Sequence, residues 1–114
     1  MAVEKILLVE DEENLRLLYG MDLEDNGFRT ELANNGKQAL EKLCIGRFDC
    51  IVTDLIMPEM DGFQLCKVLR ESGINLPIIV YTSHQTPTGL DNYATKILQK
   101  SSNIEELVEY IKKL

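Results

Sequence analysis

Apolar positions follow two rhythms along this chain. Short unbroken runs alternate with longer stretches in which apolar residues recur every three or four positions. The first run, KILLV from Lys5 to Val9, has no polar alternation, as expected of a strand buried on both faces of a parallel sheet. A helical pattern follows from about Asn14 to Asp25, and Gly27 ends it. FRTELA, Phe28 to Ala33, sets Phe28, Thr30 and Leu32 against Arg29 and Glu31, the pattern of a half-exposed edge strand. Asn34-Asn35-Gly36 turns the chain, and Ala39, Leu40, Leu43 and Cys44 then recur at helical spacing. Cys50 to Thr53 predicts a third strand. Gly62 to Arg70 predicts a helix with Phe63, Cys66 and Leu69 inward, stopped at Ser72-Gly73. Pro77 to Thr82 predicts a fourth strand and Lys96 to Leu98 a short fifth. Ile104, Leu107, Val108, Ile111 and Leu114 form the apolar stripe of a last helix, and Ser102 and Glu105 are spaced as a capping box at its start. Between the last two strands, Pro87 and Gly89 break the helical pattern. Proline deletes a backbone donor, and glycine costs about 1 kcal/mol in a helix interior, so the fourth helix is expected to be a turn or two near Thr88 to Tyr93, or an irregular loop.

Five strands alternating with about five helices predict a doubly wound, five-stranded parallel α/β sheet. Such a sheet presents the carboxyl ends of its strands along one edge, where ligands bind. The first strand ends in Glu10-Asp11, the third in Asp54, the fourth in Thr82-Ser83, and the fifth near Lys100. Taken singly, each residue has a structural reading. The acid pair could supply helix N-terminal charge. Asp54 could cap the loop before Pro58, Thr82 could be a β-former and Lys100 a solvated lysine. Asp61-Gly62 reads as a turn and helix start. Their joint order, acid pair, acid, hydroxyl and amine at the ends of successive inner strands, is rare by chance. Three close carboxylates would repel one another and raise one another's pKa. A divalent cation relieves this, and an all-oxygen donor set suits Mg²⁺.

Composition narrows the alternatives. The 114 residues contain no linker, repeat or low-complexity tract, so residues 1–114 are expected to form a single domain with no output domain among them. Hydrophobic residues make up 45%, which marks a globular chain. A net charge of −7 argues against direct nucleic-acid binding. No run approaches the roughly 18 apolar residues of a membrane span, and the N-terminus has no signal-peptide pattern. Cys44, Cys50 and Cys66 are odd in number and form no C-x-x-C pair, as expected of buried thiols in a reducing, cytoplasmic setting. His84, the single histidine, is expected at the surface rather than in a metal site.

The stretches ILLVEDEENLR, DCIVTDLIMPEMDGFQL, LPIIVYTS and ILQKSSNIEEL together resemble the receiver domain of two-component response regulators, over essentially the whole chain. That resemblance implies the flavodoxin-like strand order 2-1-3-4-5. It makes Asp54 the phosphoacceptor, with Mg²⁺ held by Glu10, Asp11, Asp54 and the backbone carbonyl of Ile56. Asp11 would be the direct ligand of the pair. Thr82 would hydrogen-bond one phosphoryl oxygen and Lys100 would pair with another. The donor would be a sensor histidine kinase, a phosphotransfer protein or a small acyl phosphate, and a downstream protein partner would read the result. Two positions depart from the family pattern. Ser101 stands where the lysine is usually followed by proline, and Ile97 where an aromatic switch residue usually lies. Tyr81 and Tyr93 match neither position and read as packing residues. The phosphoryl-dependent rearrangement is therefore expected mainly in Ser83 to Tyr93. Two other functions compete with a phosphorylated receiver: a degenerate receiver acting as a constitutive interaction module, and a small Mg²⁺-dependent phosphohydrolase with an aspartyl nucleophile. The second would need a lid and substrate pocket for which no insertion is visible.

Overall fold

The computed structural model describes residues 2–101 and 103–114. Five strands, β1 (Lys5–Val9), β2 (Arg29–Ala33), β3 (Cys50–Thr53), β4 (Ile78–Thr82) and β5 (Lys96–Gln99), form one parallel sheet in the order β2-β1-β3-β4-β5. Four α-helices accompany them: α1 (Glu13–Asp25), α2 (Gly36–Ile45), α3 (Gly62–Glu71) and α4 (Glu105–Lys112). Between β4 and β5 stands only a 3-10 turn, Leu90–Asn92. That agrees with the short or irregular segment expected there, so the described residues form four α-helices rather than about five.

Alternate side chains leave a strand on opposite faces. Ile6 and Leu8 of β1 join Tyr19 and Leu23 of α1 and Leu107, Val108 and Ile111 of α4 in one core. Leu7 and Val9 join Ala39 of α2 and Leu65, Cys66 and Leu69 of α3 in the other. β1, β3 and β4 are therefore covered on both faces, which is why their sequences are continuously apolar. β5 is an edge, not an inner strand, and its mixed burial reflects that.

The helix starts are set by local acceptors. Glu12 caps α1 by accepting from the Asn14 and Leu15 N–H groups. Asp61 and Gln64 form a reciprocal capping box on α3. Ser102, expected to cap the last helix, lies outside the described residues; there the Asn103 side chain accepts from the Glu105 N–H at 3.1 Å. Cys50 and Cys66 are buried, and burial pushes each thiol up to about 12. Cys44 is exposed, contrary to expectation. It lies just off the inward stripe of α2, where Ala39 alone of the four apolar residues singled out is fully enclosed. His84 is exposed, as expected.

Candidate functional site

The sheet's carboxyl edge gathers the predicted charged residues. Glu10, directly after β1, is tied to the sheet by its N–H, which donates to the Ala33 carbonyl at 3.0 Å. Asp54, directly after β3, donates its N–H to the Val9 carbonyl at 3.0 Å. Lys100, directly after β5, donates its N–H to the Thr82 carbonyl at 2.8 Å. Neighbouring strands thus fix the three backbones before any side chain is considered.

The side chains then meet. The Lys100 ammonium donates to Glu10 Oε1 at 2.8 Å and to Asp54 Oδ2 at 3.2 Å. Glu10 is 2% exposed, Asp54 8%, and the Lys100 side chain 11%, so this is a nearly enclosed ion cluster. The other Asp54 oxygen, Oδ1, accepts from the Leu55 N–H at 2.7 Å. Glu10 Oε2 accepts from the Glu12 N–H at 3.1 Å. Asp11 is exposed, yet one of its carboxylate oxygens lies within 4.8 Å of one from each of Glu10 and Asp54. Because Glu12 caps α1, the acid pair before it is not consumed in capping.

Burial dominates the electrostatics of Glu10. It raises the carboxyl above its ordinary range, and the Asp54 charge adds to this, although Lys100 and the Glu12 N–H pull the other way. Burial alone would lower Lys100, but its bond to Glu10 and the charges of Asp54 and Glu10 outweigh that and leave it raised. An excess of negative charge on one rim, offered by carboxylate oxygens of which two are buried and one exposed, fits a small hard cation such as Mg²⁺.

Thr82 is fully buried, and its hydroxyl oxygen accepts from the His84 N–H at 3.0 Å. Ile56 lies in the loop after Asp54, its side chain half exposed. That loop is pinned by Gly62, whose N–H donates to the Leu55 carbonyl at 2.7 Å. A Cβ on Gly62 would lie 2.2 Å from the Asp54 carbonyl oxygen, so only glycine lets α3 start this close to the Asp54 backbone. Tyr81 is core, edge-on to Tyr19, and Tyr93 packs against Phe63, as expected of packing residues. No cis peptide occurs among the described residues, and Lys100 reaches the acids without a following proline.

Two contributors were not visible in the sequence. The Arg16 guanidinium donates to the Glu10 carbonyl at 2.9 Å and the Asp11 carbonyl at 3.4 Å, bracing the turn that carries the acid pair. The Lys100 ammonium lies over the Tyr19 ring, 5.5 Å from its centroid. Tyr19 had only its helical spacing to mark it.

The response regulator receiver domain family matches residues 6–112. This chain belongs to that family. Response regulator MprA of Mycobacterium leprae (strain TN) is 39% identical over 114 residues, covering 96% of this chain and 50% of that protein. The chain thus spans about half the length of the relatives it matches. Response regulator TrrA of Thermotoga maritima, in complex with Mg²⁺ and BeF, superposes with a TM-score of 0.91 at 31% identity, covering 96% of this chain and 97% of that one. In its complex with histidine kinase ThkA, TrrA superposes with a TM-score of 0.88 at 33% identity, over 96% and 97% of the two chains. The protein is a receiver domain of the two-component kind, with the fold and the acidic cluster of one. No described helix is long and apolar enough to cross a membrane.

Proposed function

We propose that this receiver accepts a phosphoryl group on Asp54, in a Mg²⁺-dependent reaction in the cytoplasm, from a histidine kinase or phosphotransfer protein. It then signals to a downstream protein rather than turning over a substrate. The observation that carries this reading is the single ammonium of Lys100 bridging Glu10 and Asp54 on a nearly enclosed rim. Asp54 is the nucleophile. A carboxylate oxygen attacks phosphorus, a new O–P bond forms, and the bond to the donor's imidazole nitrogen or acyl oxygen breaks, the leaving atom keeping the electron pair. Asp54 Oδ1 is oriented by the Leu55 N–H, which leaves Oδ2 for the attack once Lys100 turns to the incoming phosphoryl oxygens. The Thr82 hydroxyl, whose oxygen accepts from the His84 N–H, donates its own hydrogen to a phosphoryl oxygen. Glu10, Asp11, Asp54 and the Ile56 carbonyl would hold Mg²⁺, with Asp11 the direct ligand of the pair. The ion supplies positive charge that offsets the charge on the phosphoryl oxygens. The kinase bound to TrrA supports this class of donor by likeness.

The test is incubation with a small acyl phosphate and Mg²⁺, followed by mass spectrometry. About one phosphate per chain, located on Asp54, is expected. No uptake would leave the constitutive interaction module, which Ser101 and Ile97 favour. Continuous release of phosphate would mean a phosphohydrolase. Mg²⁺ affinity is expected at roughly 0.1–10 mM, as for sites with few protein ligands, and should appear as a raised melting temperature. Beryllofluoride, a phosphoryl mimic, is expected to shift backbone NMR signals of Ser83 to Tyr93 more than those of Asn103 to Lys113. A phosphoryl-dependent dimer together with large shifts in α4 would contradict that part.

A further inference from the structure

The ammonium of Lys100 has three N–H donors, and hydrogen bonds to Glu10 and Asp54 account for two. The ammonium also lies over the Tyr19 ring, 5.5 Å from Nζ to centroid, within the range of a cation–π contact. We propose that Tyr19 is the positioning residue for Lys100, its ring holding the ammonium at the acid cluster independently of the carboxylates. The proposal rests on the phosphoacceptor reading above for its kinetic consequence, but not for its geometry.

Three observations support it. Lys100 reaches the rim on a flexible four-carbon stem from the residue directly after β5, and a lysine stem carries about 2 kcal/mol of rotamer entropy. Its two oxygen partners are the carboxylates that a cation would also claim. A ring is not a ligand for a hard cation. The Tyr19 contact is therefore the one that metal loading leaves in place. The ring is also well held: Tyr19 is 7% exposed, on the inward side of α1, and Tyr81 of β4 packs edge-on against it at 5.5 Å and 69°. Rigid α1 and β4 thus jointly aim a residue from the edge strand.

The test compares Tyr19→Phe, which keeps the π face, with Tyr19→Leu, which keeps only apolar bulk. The first readout needs neither metal nor donor. Ring-current displacement should move the Lys100 ε-methylene protons upfield in the resting wild type and in Tyr19→Phe, and return them toward the free-lysine position in Tyr19→Leu. The second is phosphoryl uptake from a small acyl phosphate. Tyr19→Phe should stay within about twofold of wild type and Tyr19→Leu should fall roughly 2- to 30-fold, the range such a contact is worth. A Tyr19→Leu protein that takes up phosphate at the wild-type rate with unmoved Lys100 signals would overturn the proposal, as would Tyr19→Phe slowed as much as Tyr19→Leu. Should Tyr19→Leu fail to fold, Lys100 signals already at the free-lysine position in the wild type overturn it. If the wild type takes up no phosphate while the Lys100 signals are ring-shifted, the phosphoacceptor reading fails and the positioning role stands.

Discussion

The rim at β1 and β3 and the connection from β4 to β5 are neighbours at the sheet's carboxyl edge, where the connection begins before crossing to the start of β5, and they are built in opposite ways. At the rim the buried charges hold one another. Glu10 and Asp54 share Lys100, and Asp54 also accepts from the Leu55 N–H. Arg16 braces the acid turn, and Gly62 lets α3 press against the Asp54 backbone. In the connection, Ser83 to Thr88 are all exposed, and Leu90 is its one fully buried anchor. Its far end is tied by Arg70, which donates to the Tyr93 carbonyl at 2.8 Å and to the Thr95 hydroxyl at 3.1 Å. Repelling charges must be fixed in place to be useful, whereas a segment that is to change shape needs few buried contacts. A closely tied ion cluster thus stands beside a sparsely buried segment.

Four substitutions press on this contrast. The largest effect is expected from Asp54→Asn, which should abolish phosphoryl uptake while unfolding free energy stays within about 1.5 kcal/mol of wild type, because Glu10 still holds Lys100 and the Asn oxygen can still accept from the Leu55 N–H. Wild-type uptake on another residue would remove Asp54 from its role. Gly62→Ala comes next. Its Cβ meets backbone, which cannot swing aside, so a loss of about 1–3 kcal/mol or more is expected in urea unfolding. A loss below about 0.5 kcal/mol would show that the rim is less tightly packed than described.

Glu10 links stability to pH. Its carboxyl binds a proton more tightly when folded, so its contribution is fully present below the ordinary 4.5 and is lost as pH rises through the raised folded value. Glu10→Gln should therefore flatten the decline in stability above pH 4.5, measured without Mg²⁺. An unchanged profile would mean that Lys100 fully compensates the burial of Glu10. Gly89→Ala probes the connection and should cost less than Gly62→Ala, roughly 1–2 kcal/mol, the strain of an L side chain in the left-handed region. Gly89 has φ +94°, a left-handed backbone, but a Cβ there meets only ordinary contacts at 3.7 and 3.8 Å, so the cost is conformational alone. If Gly89→Ala were as damaging as Gly62→Ala, the contrast between the two regions would collapse.

Much of this was legible because the code was local. A strand covered on both faces must be apolar throughout, so KILLV and CIVT declared themselves. The helix α3 announced its own start in Asp61-Gly62, although the reciprocal bond with Gln64 appeared only in the structure. Pro87 and Gly89 were enough to forecast that no full helix follows β4. Other features left no local trace. Cys44 looked like a core residue because helical spacing leaves the width of the buried stripe open, and β5 looked like an inner strand because an edge strand three or four residues long shows no clean alternation.

The sequence by itself determined the alternation of strands and helices, the placement of Glu10, Asp11, Asp54, Thr82 and Lys100 near strand ends, and the interruption between Thr82 and Lys100. Those are properties of spacing and residue type along one line. Only the tertiary structure decided which groups meet. Glu10 and Lys100 are 90 residues apart in the chain and 2.8 Å apart in the fold. Their distance follows from strand order and register, which hydrogen bonds between neighbouring strands set. The ring beneath Lys100 was decided in the same way: Tyr19 is an ordinary apolar position of α1 until β5 brings an ammonium over it. A periodic pattern states which face of a helix is buried, but not what the opposite wall will be.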